Sequence, residues 1–290
     1  MSPNLASAEA LDHVGIAGDD LPALAAKWEA LGFCLTPLAR HSGKRTPDGP
    51  VVPFGTGNRC IMLAEGYLEL IAIVDPGAFS NTLDRFLARY AGIHILALSI
   101  ADEAANLARL RRAGIDIPGV AYLERPVDDA DPAGPQARFA RLPLPDPPEG
   151  RIQLIRHLTP EAIWQDRFMA HPNHATALAE VVLAVEHPAE TAARFSILAG
   201  RPVVADPEGG FRLDLARGQV RMLPPEAVAR VFPGIAIPCL PFIAGIAVRT
   251  DDGAQAVARL LADRAIPYRR IADGLLIDPA ATGGVALLLV

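Results

Sequence analysis

These 290 residues hold little of what marks a cross-linked, membrane-bound or nucleic-acid-binding protein. Cysteine is scarce: Cys34, Cys60 and Cys239 include no C-x-x-C pair, so neither a disulfide framework nor a cysteine zinc site is supported. No apolar run approaches the roughly 18 residues of a membrane span, and the opening MSPNLASAEALD has no signal-peptide core, so a cytoplasmic protein is expected. Lysine- or arginine-rich stretches are missing too. With 27 basic against 33 acidic residues the net charge is −6, which argues against nucleic acid as the main partner. What is plentiful is apolar: 51% hydrophobic residues suffice for folded cores and exclude wholesale disorder. The length suggests about two domains.

The most informative feature is an internal repeat. Residues 11–33, 93–115, 178–202 and 242–267 share an alternating strand, an acidic or proline-bearing turn and an Ala/Leu/Arg-rich helix. Asp19-Asp20, Asp102, Pro188 and Asp251-Asp252 are the entry signals, able to cap or pre-set a first turn. Gly32, Gly114 and Gly200 close the first three helices, whereas the fourth stops at Ile266-Pro267. Further strand-like pieces follow each helix: FCLTPLAR, RCIMLA and YLELIAIV in the first unit, PYRRIA, GLLIDP and GVALLLV in the fourth. The unit therefore reads β-α-β-β-β. One such unit cannot bury both faces of its sheet, so units pair. Residues 1–158 hold the first pair and 175–290 the second, with an amphipathic linker helix at 159–174. The proline-rich stretch 126–150 is expected to be a surface excursion. The expected fold class is α+β: four βαβββ modules paired into two cup-shaped mixed sheets.

LDHVGI (11–16), GTGN (55–58), YLELI (67–71), the glycine-ended helices and the phrase RHLTPE…HPN (156–173) resemble the vicinal oxygen chelate superfamily, specifically its glyoxalase-like proteins. Through the repeat, the likeness covers nearly the whole chain. It implies paired modules curled into an open cup, in which an ion chelates vicinal oxygens of a small substrate. Such proteins include isomerases, epimerases, ring-cleaving dioxygenases, thiol transferases and metal-free drug-binding proteins, and fold does not select among them.

Strand alternation turns His13 toward the first cup from one strand and Tyr67, Glu69 and Ile71 from another. By resemblance, His13 and Glu69 stand where two metal ligands belong, for a divalent ion such as Zn, Mn, Ni or Fe. The alternative is a hydrogen-bonded His–Glu pair without metal. In the second unit the matching positions are Ile95 and Gln153. An amide oxygen can ligate an ion but is no general base at neutral pH, so Glu69 is the candidate catalytic base as well as a ligand. Candidate substrate contacts are Asn58, otherwise a turn residue; His41, otherwise a solvated loop residue; and His157, otherwise packed against the linker. His94 falls on the helix-facing stripe unless a bulge turns it into the cup. Cys60 reads as strand core rather than nucleophile.

In the second half, Glu180, Arg221, Ile243 and Ala286 occupy the corresponding positions. Glu180 is expected to pair with Arg221 or Arg249. Extradiol dioxygenase chemistry, which by resemblance needs two His and one Glu there, is disfavoured, and this half is expected to be catalytically silent. Two readings follow. One is a glyoxalase-like isomerase or lyase, assisted by a divalent metal ion and acting on a small vicinal-oxygen substrate. The other is a metal-free protein that binds or sequesters a small molecule. Neither calls for a membrane partner. A monomer or a homodimer paired through the GVALLLV edge is expected.

Overall fold

The computed structural model describes residues 6–45, 49–145, 147–251 and 253–290, and among them the βαβββ unit occurs four times. The first comprises β1 (Ala8–Ala17), α1 (Leu21–Ala30), β2 (Ala39–Lys44), β3 (Val51–Met62) and β4 (Tyr67–Ile73). After α2 (Leu83–Leu87) comes the second: β5 (Gly92–Ile100), α3 (Glu103–Arg112), β6 (Ala121–Pro126), β7 (Gln136–Leu142) and β8 (Arg151–His157). Two single turns, α4 (Pro160–Ile163) and α5 (Asp166–Met169), lead to the third. It runs through β9 (Ala175–Ala184), α6 (Pro188–Ala199), β10 (Val204–Ala205), β11 (Phe211–Asp214) and β12 (Gln219–Leu223). α7 (Pro225–Val231) precedes the fourth: β13 (Phe242–Thr250), α8 (Gly253–Asp263), β14 (Tyr268–Ile271), β15 (Gly274–Ile277), α9 (Pro279–Thr282) and β16 (Ala286–Leu289).

In every unit the first strand pairs in parallel with the last, as β1 does with β4 and β5 with β8. Partner units join through antiparallel first strands, β1 with β5 and β9 with β13. The two cups are not separate sheets: Ile243 of β13 pairs with Ile93 of β5, joining all strands into one 16-stranded mixed sheet. β2 lies against β6, closing the first cup on its far side. The outer face carries the main core, where Val14, Ile16, Leu68, Leu70, Leu96 and Leu98 meet Leu24 and Trp28 of α1. Burial of this alternating stripe fixes the register, since a one-residue slip would expose it. Trp28 is fully buried, and its Nε1 donates to the carbonyl of Thr282 at 2.9 Å, tying α1 to α9 near the other end of the chain.

Local signals explain the helix ends. Asp20 and Asp102 accept from the amides of Ala23 and Ala105 at 2.9 and 2.8 Å, and Pro188 opens α6. Asp252 lies outside the described residues. Gly32, Gly114 and Gly200 take φ of +87°, +81° and +66°; in the fourth unit Ala265 adopts the same left-handed conformation, at +54°.

Three expectations change. FCLTPLAR is not a strand: Pro37 lacks a donor, and β2 starts only at Ala39. The stretch 126–150 is not a surface excursion, because β7 crosses it with Ala137, Phe139, Ala140 and Leu142 buried. The linker helix is two turns broken around Trp164, whose indole donates to the Leu63 carbonyl at 2.9 Å.

The second cup is filled. Ala227 and Val228 of α7, with Phe232, pack on Val182, Ala184, Leu223, Ala244, Ala286 and Leu288. At its edge Glu180 accepts from Arg221 at 3.3 Å, and Arg221 also donates to both oxygens of Asp206. Arg249 instead faces Glu65 at 3.5 Å.

Candidate functional site

The first cup encloses a cavity of about 200 Å³ whose walls include His13, His41, Asn58, Glu69 and Gln153. The structure thus brings together five of the six side chains singled out from the sequence. Asn58 is not in a turn, since GTGN lies inside β3, and His41 is on β2 rather than in a loop.

His13 reaches the cavity from β1, its ring stacked on Tyr67 with centroids 4.4 Å apart. Its Nδ1 donates to Asp12 Oδ1 at 2.7 Å, leaving Nε2 as the nitrogen available to the cup. Asp12 also accepts from His157 Nε2 at 3.1 Å. Burial alone would raise the Asp12 carboxyl, but the charge and hydrogen bonds of His157 and His13 outweigh it and hold the group well below the usual carboxylate range. Two buried polar neighbours in one strand are possible because the β1–β5 register shifts between Leu11 and His13.

Glu69, on β4, is buried and accepts from Asn58 Nδ2 at 2.5 Å, while His41 Nε2 stands 3.6 Å from the same oxygen. His41 Nδ1 is 2.9 Å from Thr56 Oγ1. Burial raises the Glu69 carboxyl, yet His41, His13, Asn58 and Arg125 together bring it below its ordinary value. Burial pushes His41 down to about 4, partly opposed by Glu69 and reinforced by Arg125 and Arg151. At neutral pH the site therefore holds an ionised carboxylate beside a neutral imidazole. Such a Glu69 is a better ligand or electrostatic partner than a general base, whose pKa needs to lie nearer 7.

Gln153 faces the cavity from β8. Ile95 occupies the remaining position of the ligand pattern, packed so closely on Gly15 that a Cβ there would fall 2.7 Å from Ile95 Cβ. His157 does not line the cavity: beyond its bond to Asp12, its ring is held edge-on by Tyr67, Phe139 and Trp164 at 4.8–6.1 Å. His94 is indeed a bulge residue, since Gly15 pairs with Ile95 but Ile16 with Ile93. The bulge sends its ring between Tyr90 and Phe86, at 3.9 and 5.2 Å, and its Nε2 donates to the Tyr90 carbonyl at 2.8 Å. Cys60 is buried, which pushes its thiol up to about 12 and removes it as a nucleophile.

The sequence reading missed Asp12 and three arginines on the cup wall, Arg125, Arg141 and Arg151. Arg141 sits two residues after buried Phe139, so alternation places it on the cup face once QARFARL is read as a strand, and Arg151 sits two before Gln153 on the same face of RIQLI.

Among the described residues no three His, Cys, Asp or Glu side chains form a metal-binding group. A divalent ion in this cup would therefore draw on His13, Glu69 and the Gln153 amide oxygen. That donor set fits such an ion: an imidazole oriented by a carboxylate on its other nitrogen, an ionised carboxylate braced by Asn58, and a neutral oxygen.

Residues 11–198 match the family model described as a glyoxalase-like domain. A search of curated proteins returned no match. Among solved structures, a hypothetical protein from Staphylococcus aureus aligns with a TM-score of 0.64 at 13% identity, over 97% of this chain and 98% of its own. A Mn(II)-bound glyoxalase from Novosphingobium aromaticivorans aligns at 0.55 and 14% identity, over 98% and 82%. A substituted 4-hydroxymandelate synthase from Streptomyces coelicolor aligns at 0.56 and 16%, over 91% and 77%. At these identities the likeness is one of fold. No helix among the described residues is long and apolar enough to cross a membrane.

Proposed function

The chain belongs to the glyoxalase-like domain family of the vicinal oxygen chelate superfamily, and on that premise we propose that it is an enzyme of isomerase or lyase type acting on a small vicinal-oxygen substrate in the first cup. The observation that carries this reading is the convergence on one cavity of His13, clamped by Asp12, and Glu69, clamped by Asn58, with Gln153 facing them. These three would hold a divalent ion. When bound, such an ion polarises a carbonyl or hydroxyl oxygen and stabilises negative charge developing on it. The chain's own side chains do the rest. Asn58 braces the carboxylate, Tyr67 packs the His13 ring, and the neutral His41 imidazole, 3.6 Å from the Glu69 oxygen, offers a hydrogen bond that orients the substrate. Ile71 and Ile95 form an apolar part of the wall that limits water around the reacting atoms. The second half, its cup filled by α7 and Phe232, serves as a scaffold.

The test is turnover of a panel of 2-oxoaldehydes, 2-hydroxyketones and 2-hydroxy acids, with and without added Mn(II), Ni(II) or Zn(II). Turnover that drops at least about a hundredfold in both His13→Ala and Glu69→Gln supports the proposal; turnover retained in both contradicts it. A second reading, a metal-free binding protein of the same fold, is favoured by one observation: Ile95, an apolar residue, holds the fourth ligand position. It predicts a melting temperature indifferent to EDTA, whereas a bound ion stabilises the fold by mass action.

A further inference from the structure

The two walls of the cup differ in charge. The first unit supplies His13, His41, Asn58 and Glu69; the second supplies Arg125 from β6, Arg141 from β7 and Arg151 from β8. All three arginines are half-buried. Arg151 is anchored by donation to the Asn81 carbonyl at 2.8 Å and Thr82 Oγ1 at 2.6 Å, with its guanidinium over Phe86. Arg125 lies over Phe139 and donates to the Pro126 carbonyl at 3.2 Å. Among the described residues, two carboxylates line this cavity, Glu69 and Glu124. Glu69 belongs to the opposite strand group, and Glu124 is taken by Arg138 at 2.7 Å on the exposed side. Lys44 adds a further cation to the lining. Cations set in low-dielectric walls focus their field into a cleft, and the guanidinium fork matches the two oxygens of an oxyanion. The cavity of about 200 Å³ is at the small end for a ligand site, which suits a small occupant.

We propose that the ligand of this cup is a small carboxylic acid, its carboxylate docked on the wall of Arg125, Arg141 and Arg151 while its vicinal oxygens face His13 and Glu69. This inference rests on the reading of the first cup as the working site, and it narrows the substrate class to compounds such as 2-hydroxy or 2-oxo acids.

Calorimetric titration of the EDTA-treated full-length protein tests it, since without a bound ion the arginine wall is read alone. The probes are sodium lactate, neutral lactamide of nearly the same shape, and inorganic phosphate. Lactate is expected to bind at least about tenfold more tightly than lactamide. Arg125→Gln should weaken lactate at least about tenfold, as loss of one charge-assisted hydrogen bond implies, and leave lactamide unchanged. Arg125→Lys should recover part of the loss, and Arg141→Gln gives the same readout if Arg125→Gln does not fold. Phosphate that competes with lactate but binds more weakly supports the carboxylate assignment; phosphate that binds more tightly overturns it. Equal affinity for lactate and lactamide, no saturable lactate binding up to about 20 mM, or indifference to Arg125→Gln also overturns it. His13→Ala separates this failure from that of the enzyme reading: it is expected to lose turnover yet keep the arginine-dependent binding of lactate.

Discussion

Asp12→Asn tests how the first cup is assembled. The Asp12 carboxylate is 5% exposed and accepts two hydrogen bonds, from His13 at 2.7 Å and His157 at 3.1 Å. Asparagine keeps the shape, but its single oxygen serves one imidazole and its amide group turns donors toward the other. Each bond involving the charged carboxylate contributes about 1.5–3 kcal/mol, and a buried donor left unpaired costs further. The expected loss is about 2–4 kcal/mol at pH 7. For a chain of 290 residues the unfolding entropy is about 0.6 kcal/mol/K, so Tm should fall by about 3–7 °C. The pH dependence has a definite sign. A carboxyl held below its ordinary value of 3.8 contributes stability that is complete above that value and is lost as pH falls toward the folded value. The gap between wild type and variant should therefore be full at pH 7 and narrow below about pH 4. Urea denaturation across pH 3.5–7 measures it. A loss under about 1 kcal/mol at pH 7, or a gap that widens on acidification, would refute the role given to Asp12.

Three other outcomes are expected. Gly15→Ala forces a methyl against Ile95 and should cost about 1–3 kcal/mol, and it should cost less in an Ile95→Gly background, which removes the clashing Cβ, in a double-mutant cycle read by denaturation. Burial holds His94 at about 4 against an ordinary 6.5, so it resists protonation when folded and stability falls with pH between those values. His94→Gln should flatten that slope, sparing about 1–2 kcal/mol between pH 7 and 5. Trp28→Ala should destabilise by about 3–5 kcal/mol, seen as a lower urea midpoint, since it removes a fully buried ring and the bond to Thr282.

The repeat was legible because each helix follows an acidic or proline-bearing turn and three of the four close on a glycine, and the caps at Asp20 and Asp102 fall where the residues place them. Alternation likewise assigned His13, Glu69 and Gln153 to one cup, and the pairing of His13 with Tyr67 and of Ala97 with Gln153 agrees with that alignment. Legibility failed where local rules are overridden by tertiary ones. The prolines flanking Gln136–Leu142 masked β7, and with it Arg141. Adjacent Asp12 and His13 break a strict two-residue period, which only the register shift accommodates. The bulge at His94 depends on Phe86 and Tyr90, whose stacking no local pattern announces. Filling of the second cup by α7 was equally invisible, since Ala227 and Val228 read as any short apolar helix.

Elemental analysis of untagged protein, purified without chelator and again after incubation with Mn(II), Ni(II), Zn(II) or Fe(II), tests the account of the first cup most directly. Close to one divalent ion per chain is expected in the wild type, lost in His13→Ala and in Glu69→Gln, and bound about 10–100-fold more weakly in Asp12→Asn because His13 is no longer held. No ion retained under any of these conditions, or retention undiminished in both His13→Ala and Glu69→Gln, would contradict it.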